Sequence, residues 1–245
     1  MTGHVVATGA GRAMMDRRND PTHEHVLALT GKDRPRVLFL GTATGDDAGY
    51  AVSFYETYHS DRCAPFHLRL FHRTVRDLRA FVLSMDVVHV GGGNTANMLD
   101  VWRRQGVDEI LREAWAGGAV LTGGSAGGIC WFHGGTTDSY GPELQVLPEG
   151  LGIIDGSFCP HYDAEDQRRP LFHAALLKGE LPVGYGVGNL VSVHFHGDTL
   201  VEAFSSQPDG EAVRVEAVDG RIVETKLPVR VLPATGDGDY GGPSA

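Results

Sequence analysis

Short apolar runs alternate with longer stretches of helical spacing through the first half of the chain. His4–Ala7 (HVVA), Arg36–Leu40 (RVLFL), Phe66–Phe71 (FHLRLF), Val87–Val90 (VVHV) and Ala119–Leu121 (AVL) have the length and branched composition of buried strands. Between them, Ala48–Tyr58, Thr74–Leu83, Ala96–Arg104 and Val107–Trp115 repeat at the helical period. Leu111 and Trp115 fall four apart on one side, with Arg112 and Glu113 turned away. Alternating β and α units predict an α/β fold of three layers, α/β/α, with a mostly parallel sheet covered by helices on both faces. From Gly184 onward the pattern shortens to alternating runs at Leu190–Phe195, Thr199–Phe204, Ala212–Val218 and Arg221–Glu224, with an Asp219-Gly220 hairpin signal between the last two. These predict an antiparallel C-terminal extension of the same sheet.

Length and charge narrow the picture. At 245 residues the chain suits one large domain, residues 1–233, followed by a Gly- and Asp-rich tail over 234–245 (ATGDGDYGGPSA) whose composition predicts disorder. No apolar run approaches the ~20 residues of a membrane helix. The opening MTGHVVATG has no basic segment leading into a long apolar one, so no secretory signal or membrane partner is expected and the cytoplasm is the default location. A formal net charge of −10 argues against nucleic acid as a partner, because phosphate binding wants a basic face. Cys63, Cys130 and Cys159 form no CxxC pair and read as small buried hydrophobes rather than a disulfide frame or metal site.

Two glycine-rich loops follow strands, where open α/β sheets place their ligands. The first is LTGGSAGGICW, in which Gly123-x-Ser125-x-Gly127 has the form of a nucleophile elbow, a sharp strand-to-helix turn that exposes a serine hydroxyl. On these residues alone Ser125 is either a nucleophile or a helix cap. The second is Gly91-Gly92-Gly93-Asn94-Thr95, after VVHV and before a helix. It could cradle a phosphate, although it lacks the P-loop lysine and the GxGxxG spacing. It could instead supply an oxyanion N–H from Gly92 or Gly93, alongside that of Ala126, the residue after the serine. A serine also needs a base. Among 12 histidines, most expected to be solvated surface groups, His161 follows an apolar run in FCPHYD and so falls at a strand end. It is either a loop histidine or the general base for Ser125.

Taken together, VGGGNTANMLDVWRRQGVDEILREAW, GGSAGGICWF, TTDSYGP, GLGIIDGSFCPHYDAEDQRRP and GYGV resemble the peptidase E family of aspartyl dipeptidases and cyanophycinase-like serine peptidases. The resemblance runs from about His4 to about Leu232. It implies a flavodoxin-like fold related to class I amidotransferases, Ser125 as nucleophile, His161 as base, oxyanion donors from the triple-glycine loop and Ala126, and neither metal nor organic cofactor. The implied substrate is a small peptide or aspartyl amide, and a homodimer is the candidate assembly. Arg168 and Arg169 are the implied carriers of substrate-carboxylate recognition, since a guanidinium meets a carboxylate bidentately. The alternative is that both are exposed and offset Asp163, Glu165 and Asp166. Asn94 and Tyr162 are further substrate-binding candidates.

Three departures stand out. After GYGV the family places an acid that orients the histidine, and here Asn189 occupies that position. An asparagine can accept the imidazole N–H, as in Cys-His-Asn peptidases, but brings no charge. Asp163, Glu165, Asp166, Asp138 and Glu202 are the carboxylates that could substitute. In addition, Gly9-Ala10-Gly11-Arg12 carries a cation where relatives have a longer glycine cluster, and Gly128 replaces an alanine. The expected function is therefore an aspartyl-directed serine peptidase. The alternatives are a catalytically impaired homologue that binds acidic peptides, or an acyltransferase or esterase on the same scaffold.

Overall fold

The computed structural model describes residues 2–9 and 20–234. The Ala10–Arg12 part of the N-terminal cluster and residues 235–245 of the tail lie outside the described residues. In chain order the elements begin with β1 (His4–Thr8), α1 (Pro21–Ala28), β2 (Arg36–Leu40), a 3-10 turn (Thr42–Thr44), α2 (Ala48–Thr57), β3 (Ala64–Leu68), α3 (Leu78–Leu83) and β4 (Val87–Val90). They continue with α4 (Thr95–Gln105), α5 (Val107–Ala116), β5 (Val120–Gly124), α6 (Ala126–Ile129), β6 (Gly134–Thr137), β7 (Gln145–Leu147), β8 (Ser157–Cys159) and α7 (Arg168–Leu177). The last six are β9 (Gly184–Val187), β10 (Val191–His196), β11 (Thr199–Ser205), β12 (Ala212–Val218), β13 (Arg221–Lys226) and β14 (Val229–Val231).

Eight strands form a large sheet in the order β14-β11-β10-β1-β5-β4-β2-β3. The run β1-β5-β4-β2-β3 is parallel. Antiparallel β10 and β11 extend it beyond β1. Alternate side chains of the parallel strands feed two separate layers, as the period of a strand requires. Val5, Ala7, Leu38, Leu40, Val88, Val90 and Leu121 pack with Val82, Met98, Trp102 and Leu111 from α3, α4 and α5. Val6, Val37, Phe39, Val87 and Val120 pack with Val26, Tyr50 and Phe54 from α1 and α2. The mostly parallel, helix-covered sheet predicted from the alternating pattern is present.

The C-terminal prediction divides. β10 and β11 extend the large sheet, but β12 and β13 belong to a second sheet of order β13-β12-β9-β8-β6-β7. They are drawn there because β9, directly after α7 and its loop, pairs with β12 through Val187↔Ala212 to Gly184↔Val215. α7 covers this sheet with Phe172, Ala175 and Leu176 against Val213 and Val215. β3 also ends earlier than its apolar run. The Asp46 carboxylate accepts the N–H groups of Leu70 (2.7 Å) and Phe71 (2.8 Å), turning both out of the ladder. α3 starts at Leu78 rather than near Thr74 because Asp77 caps it, accepting from Ala80 N–H at 2.9 Å. α1 was not expected from the hydrophobic pattern. Its signal is local: Asp20 accepts the Thr22 N–H at 2.9 Å, and Pro21 occupies the first helical position.

Leu111 of α5 is fully buried, in keeping with the predicted face. Leu111→Ala should lower unfolding stability by about 2–5 kcal/mol. Arg112→Ala, on the opposite side, should change it by less than about 0.5 kcal/mol. Urea unfolding of the two variants checks this, and equal midpoints would contradict the assigned face.

Candidate active site

Ser125 joins β5 to α6 with φ 52° and ψ −117°, a conformation that side-chain-bearing residues adopt only under constraint. The constraint is visible. Its N–H donates to Thr8 C=O at 3.0 Å, and its own carbonyl accepts from Gly128 N–H (2.8 Å) and Ile129 N–H (2.9 Å). The elbow expected from GGSAG is therefore formed, with the serine at the carboxyl end of the central parallel strand. Gly128 has its own reason: a Cβ there would sit 2.8 Å from the Phe158 ring, so the alanine expected at this position would press on that ring.

His161 lies just past β8, also at positive φ, 53°. Its N–H donates to Gly9 C=O at 3.1 Å. The two strained residues face each other, with His161 Nε2 3.0 Å from Ser125 Oγ. On the other side of the ring, Nδ1 lies 2.8 Å from Asn189 Oδ1. An amide oxygen can only accept, so Nδ1 carries the proton and Nε2 presents its lone pair to the serine hydroxyl. None of the five alternative carboxylates takes the place of Asn189. Asp163 accepts the Asn189 backbone N–H at 2.9 Å. Glu165 accepts from Arg168 Nε at 2.7 Å, and Glu202 is held by Arg230. Asp138 lies in the cavity beside Ser125 rather than behind the histidine, and Asp166 lies in a neighbouring groove.

Ser125 and His161 open onto a cavity of about 240 Å³ lined also by Gly93, Asn94, Asp138, Glu165 and Arg168. This is below the roughly 300–1,000 Å³ of sites for drug-sized ligands. The glycine loop divides by function. Gly92 N–H donates to the buried Tyr50 hydroxyl at 3.1 Å, while Gly93 faces the cavity. Gly93 has φ 134°, and a Cβ there would lie 2.5 Å from Ala43 C=O, so glycine is required. Ala126 is the first residue of α6, where N–H groups have no intrahelical acceptor.

The substrate-binding candidates separate into two places. Arg168 is buried at the cavity wall, with Nε on Glu165 and Nη1 on Thr136 C=O at 2.5 Å. It is not the exposed surface charge of the alternative reading. Asn94 also lines the cavity, but its side chain caps α4 through Asn97 N–H (2.8 Å) and donates to Ser139 C=O (2.9 Å). Tyr162 and Arg169 face a separate groove and are engaged by Glu224, with the guanidinium 5.1 Å above the Tyr162 ring. Burial, and then Glu224, raises the Tyr162 pKa. Burial alone would raise Glu224, but hydrogen bonds from Tyr162, Arg169 and His173 outweigh it and its pKa is lowered. Residues that sequence reasoning passed over are Thr136, which fixes Arg168, and Ser139, whose hydroxyl accepts from Ala96 N–H at 3.2 Å and ties the TTDS segment to α4.

Other expectations concern thiols and histidines. Cys63, Cys130 and Cys159 are free and buried. Burial pushes the Cys63 thiol up to about 11 and Cys159 to about 12, so neither is a nucleophile at neutral pH. The histidines are not mostly solvated: His23, His89 and His194 are buried, and only His67, His72, His133 and His196 are exposed. Among the described residues no helix is long and apolar enough to cross a membrane.

Gly9 is the contact on which this geometry turns. Its N–H donates to Val191 C=O at 2.9 Å while its carbonyl holds His161, and a Cβ there would fall 2.1 Å from Gly188 C=O, next to Asn189. Gly9→Ala should therefore separate His161 from Asn189 and lower kcat by at least about 100-fold, the scale of a ~1 Å misplacement. Activity of a folded Gly9→Ala protein equal to the parent would contradict this.

The architecture and sequence have known counterparts. The model of peptidase family S51 matches residues 5–203. YgaJ of Bacillus subtilis (strain 168), described as an uncharacterized peptidase, is 42% identical over 228 residues, covering 93% of this chain and 98% of its own. The crystal structure of a peptidase from an acI-B1 Actinobacterium superposes with a TM-score of 0.69 at 17% identity, covering 94% of this chain and 95% of that one. A putative peptidase E protein from Listeria monocytogenes EGD-e gives 0.58 at 16%, covering 93% and 100%. At such identities the two structures show a shared fold, whereas the family match and the Bacillus relative extend to the sequence itself. The chain belongs to peptidase family S51, the peptidase E family, and so to the hydrolases.

Proposed function

We propose that the protein is a serine peptidase that hydrolyses small aspartyl peptides or aspartyl amides through an acyl-enzyme on Ser125. The observation that carries this reading is the relay from Ser125 Oγ to His161 Nε2 (3.0 Å) and from His161 Nδ1 to Asn189 Oδ1 (2.8 Å). Ser125 Oγ attacks the amide carbonyl carbon while Nε2 takes the hydroxyl proton. The carbonyl oxygen becomes an oxyanion between the N–H groups of Gly93 and Ala126. As the tetrahedral species collapses, His161 returns the proton to the leaving amine and the C–N bond breaks. Water then attacks the ester with His161 again as base, releasing the acid and the serine.

Arg168 is the group we assign to the substrate carboxylate. Its Nη2 edge is the one not engaged by Glu165 or Thr136. Asp138 and Glu165, on the same cavity, are placed to meet the substrate's amino group. An aspartyl residue carries both charges on a span short enough for one small cavity.

Asn189 sets the rate this relay can reach. Replacing a triad acid by its amide costs up to about four orders of magnitude in kcat, or ~5 kcal/mol of barrier, chiefly through the wrong histidine tautomer. Here the amide oxygen faces Nδ1, which retains the productive tautomer and forgoes only the charge.

Hydrolysis of aspartyl-p-nitroanilide and Asp-X dipeptides should be abolished in Ser125→Ala, and Ser125 in the parent should react with a fluorophosphonate probe. A parent protein that binds aspartyl peptides but neither turns them over nor takes the probe would favour the acidic-peptide-binding alternative. Asn189→Asp should raise kcat by about tenfold or more by restoring the charge. Arg168→Met should lower kcat/KM for aspartyl substrates by about 10–100-fold, the worth of a charge-assisted hydrogen bond. Its small effect on neutral aminoacyl anilides separates recognition from a general defect.

A further inference from the structure

The large sheet carries a second cluster of chemistry-bearing side chains that shares no residue with the Ser125 cavity. His194 of β10 and Glu202 of β11 are direct cross-strand partners. The strand pairing shifts register between His194 and Phe195, the kind of bulge that re-aims side chains. Over this pair lies His25 of α1, its ring 5.7 Å from that of His194 and 4.5 Å from Phe204. The donor atoms converge: His25 Nε2 is 3.4 Å and His194 Nδ1 is 3.8 Å from Glu202 Oε1, and all three lie within 4.8 Å of one another.

Two nitrogens of the cluster lack a hydrogen bond. His25 Nε2 and His194 Nδ1 are both buried ring nitrogens with no hydrogen-bond partner. Buried polar atoms are nearly always satisfied, and an exception calls for an explanation such as strain, a buried water or a bound ion. Both face the Glu202 carboxylate at ion-pair distance, 3.4 and 3.8 Å, without the geometry of a hydrogen bond. From these observations we propose that His25, His194 and Glu202 form a binding site for a divalent first-row transition ion, zinc in the first instance.

The geometry fits that chemistry. Zinc bonds of about 2.0–2.2 Å to nitrogen and oxygen place tetrahedral ligands roughly 3.3–3.6 Å apart, close to the two ligand–ligand distances to Glu202. Outer partners that orient metal ligands are also present. The other nitrogen of His194, Nε2, lies 2.9 Å from His4 Nδ1, so donation to His4 leaves Nδ1 as the lone pair facing the site. Arg230 grips Glu202 through Nε (2.9 Å) and Nη2 (3.1 Å), and each carboxylate oxygen keeps a second lone pair. Two imidazoles and one carboxylate are a donor set that suits zinc, with the fourth position left to water from the part-exposed side of Glu202. The site joins α1 to β10 and β11, which would make the ion a clamp between the second layer and the antiparallel edge of the sheet.

The experiment uses the full chain with His161→Ala as background, so that the candidate catalytic histidine cannot contribute a ligand. Zinc and cobalt(II) are titrated calorimetrically and by visible absorption after chelator treatment. The expected result is one equivalent of zinc per chain, an intense cobalt band of low coordination number, and a raised Tm with zinc. Adding His25→Ala, on a half-buried helix face, or Glu202→Gln should weaken binding at least about tenfold, with circular dichroism confirming the fold. Zinc-edge X-ray absorption of the background protein, which needs no further variant, should show scattering from two imidazoles. Failure to bind an equivalent of zinc, equal affinity in a folded His25→Ala variant, or a zinc spectrum without imidazole would each overturn the assignment.

Discussion

Thr8 and Gly9, the last residue of β1 and the one after it, hold together everything the candidate site requires. Thr8 C=O fixes Ser125 N–H, Gly9 C=O fixes His161 N–H, and Gly9 N–H fixes Val191 C=O, two residues past Asn189. Three segments far apart in sequence are thus referred to one rigid strand end by main-chain bonds, which no side-chain rotamer can undo. β1 can serve this way because it is the seam of the large sheet, parallel to β5 on one side and antiparallel to β10 on the other. The serine arrives with the parallel neighbour and the asparagine with the antiparallel one. His161 comes from the second sheet, just past the end of β8, which lies between β6 and β9. The relay consequently spans both sheets, and the buried cluster beneath it does the same, with Phe158 and Val187 packed among Ala7, Val193 and Phe195.

Charge around the relay is arranged so that a neutral third member is the outcome of the packing, not a vacancy beside an unused acid. Asp163, the carboxylate nearest in position, is committed to Asn189 N–H and lies against Gly188. Its charge therefore supports the turn that presents Asn189 without touching the imidazole. Glu165 steadies Arg168 instead. A carboxylate moved next to His161 Nδ1 would stand close to Asp163, so part of its gain would be offset by like-charge repulsion.

Much of this was legible from sequence, and the reason differs between fold and site. Among the parallel strands, β1, β2, β4 and β5 could be read because each is buried on both faces and carries a compact apolar run, whereas β3 at the edge of the sheet is mostly part-exposed. Leu111 and Trp115 revealed the α5 face through helical spacing. In the second sheet β12 and β13 were legible as alternating runs, but β6, β7, β8 and β9 escaped notice because they have only three or four residues each, two of them rich in glycine, too few for alternation to show. α1 is short and weakly amphipathic, so only its Asp-Pro start could have marked it. Ser125 and His161 could be singled out because each sits in a short motif directly after an apolar run, Gly-x-Ser-x-Gly and Cys-Pro-His, which places it at a strand end. Arg168 and Arg169, by contrast, are adjacent and chemically identical. Only the turn of α7 decides that one enters the cavity while the other meets Glu224. Likewise the histidines of β1, β10 and α1 look like scattered polar residues in sequence. They gather because alternate positions of neighbouring strands share a face.

Strain explains why so much of the structure is devoted to a few atoms. Ser125 and His161 both hold left-handed backbone angles without being glycine, at a cost of about 1–3 kcal/mol each. Either residue could relax by flipping its peptide, and either flip would carry its side chain away from the other. The structure resists through the bonds to Thr8 and Gly9, and through close contacts that leave no space for movement, Phe158 against Gly128 among them. Those contacts are rigid only because the layers behind them are well packed, with Trp102, Trp131, Phe132 and Phe158 fully buried. The short Ser125–His161 distance is therefore a property of the entire two-sheet core, and substitutions deep in that core should be felt at the relay before they are felt as unfolding.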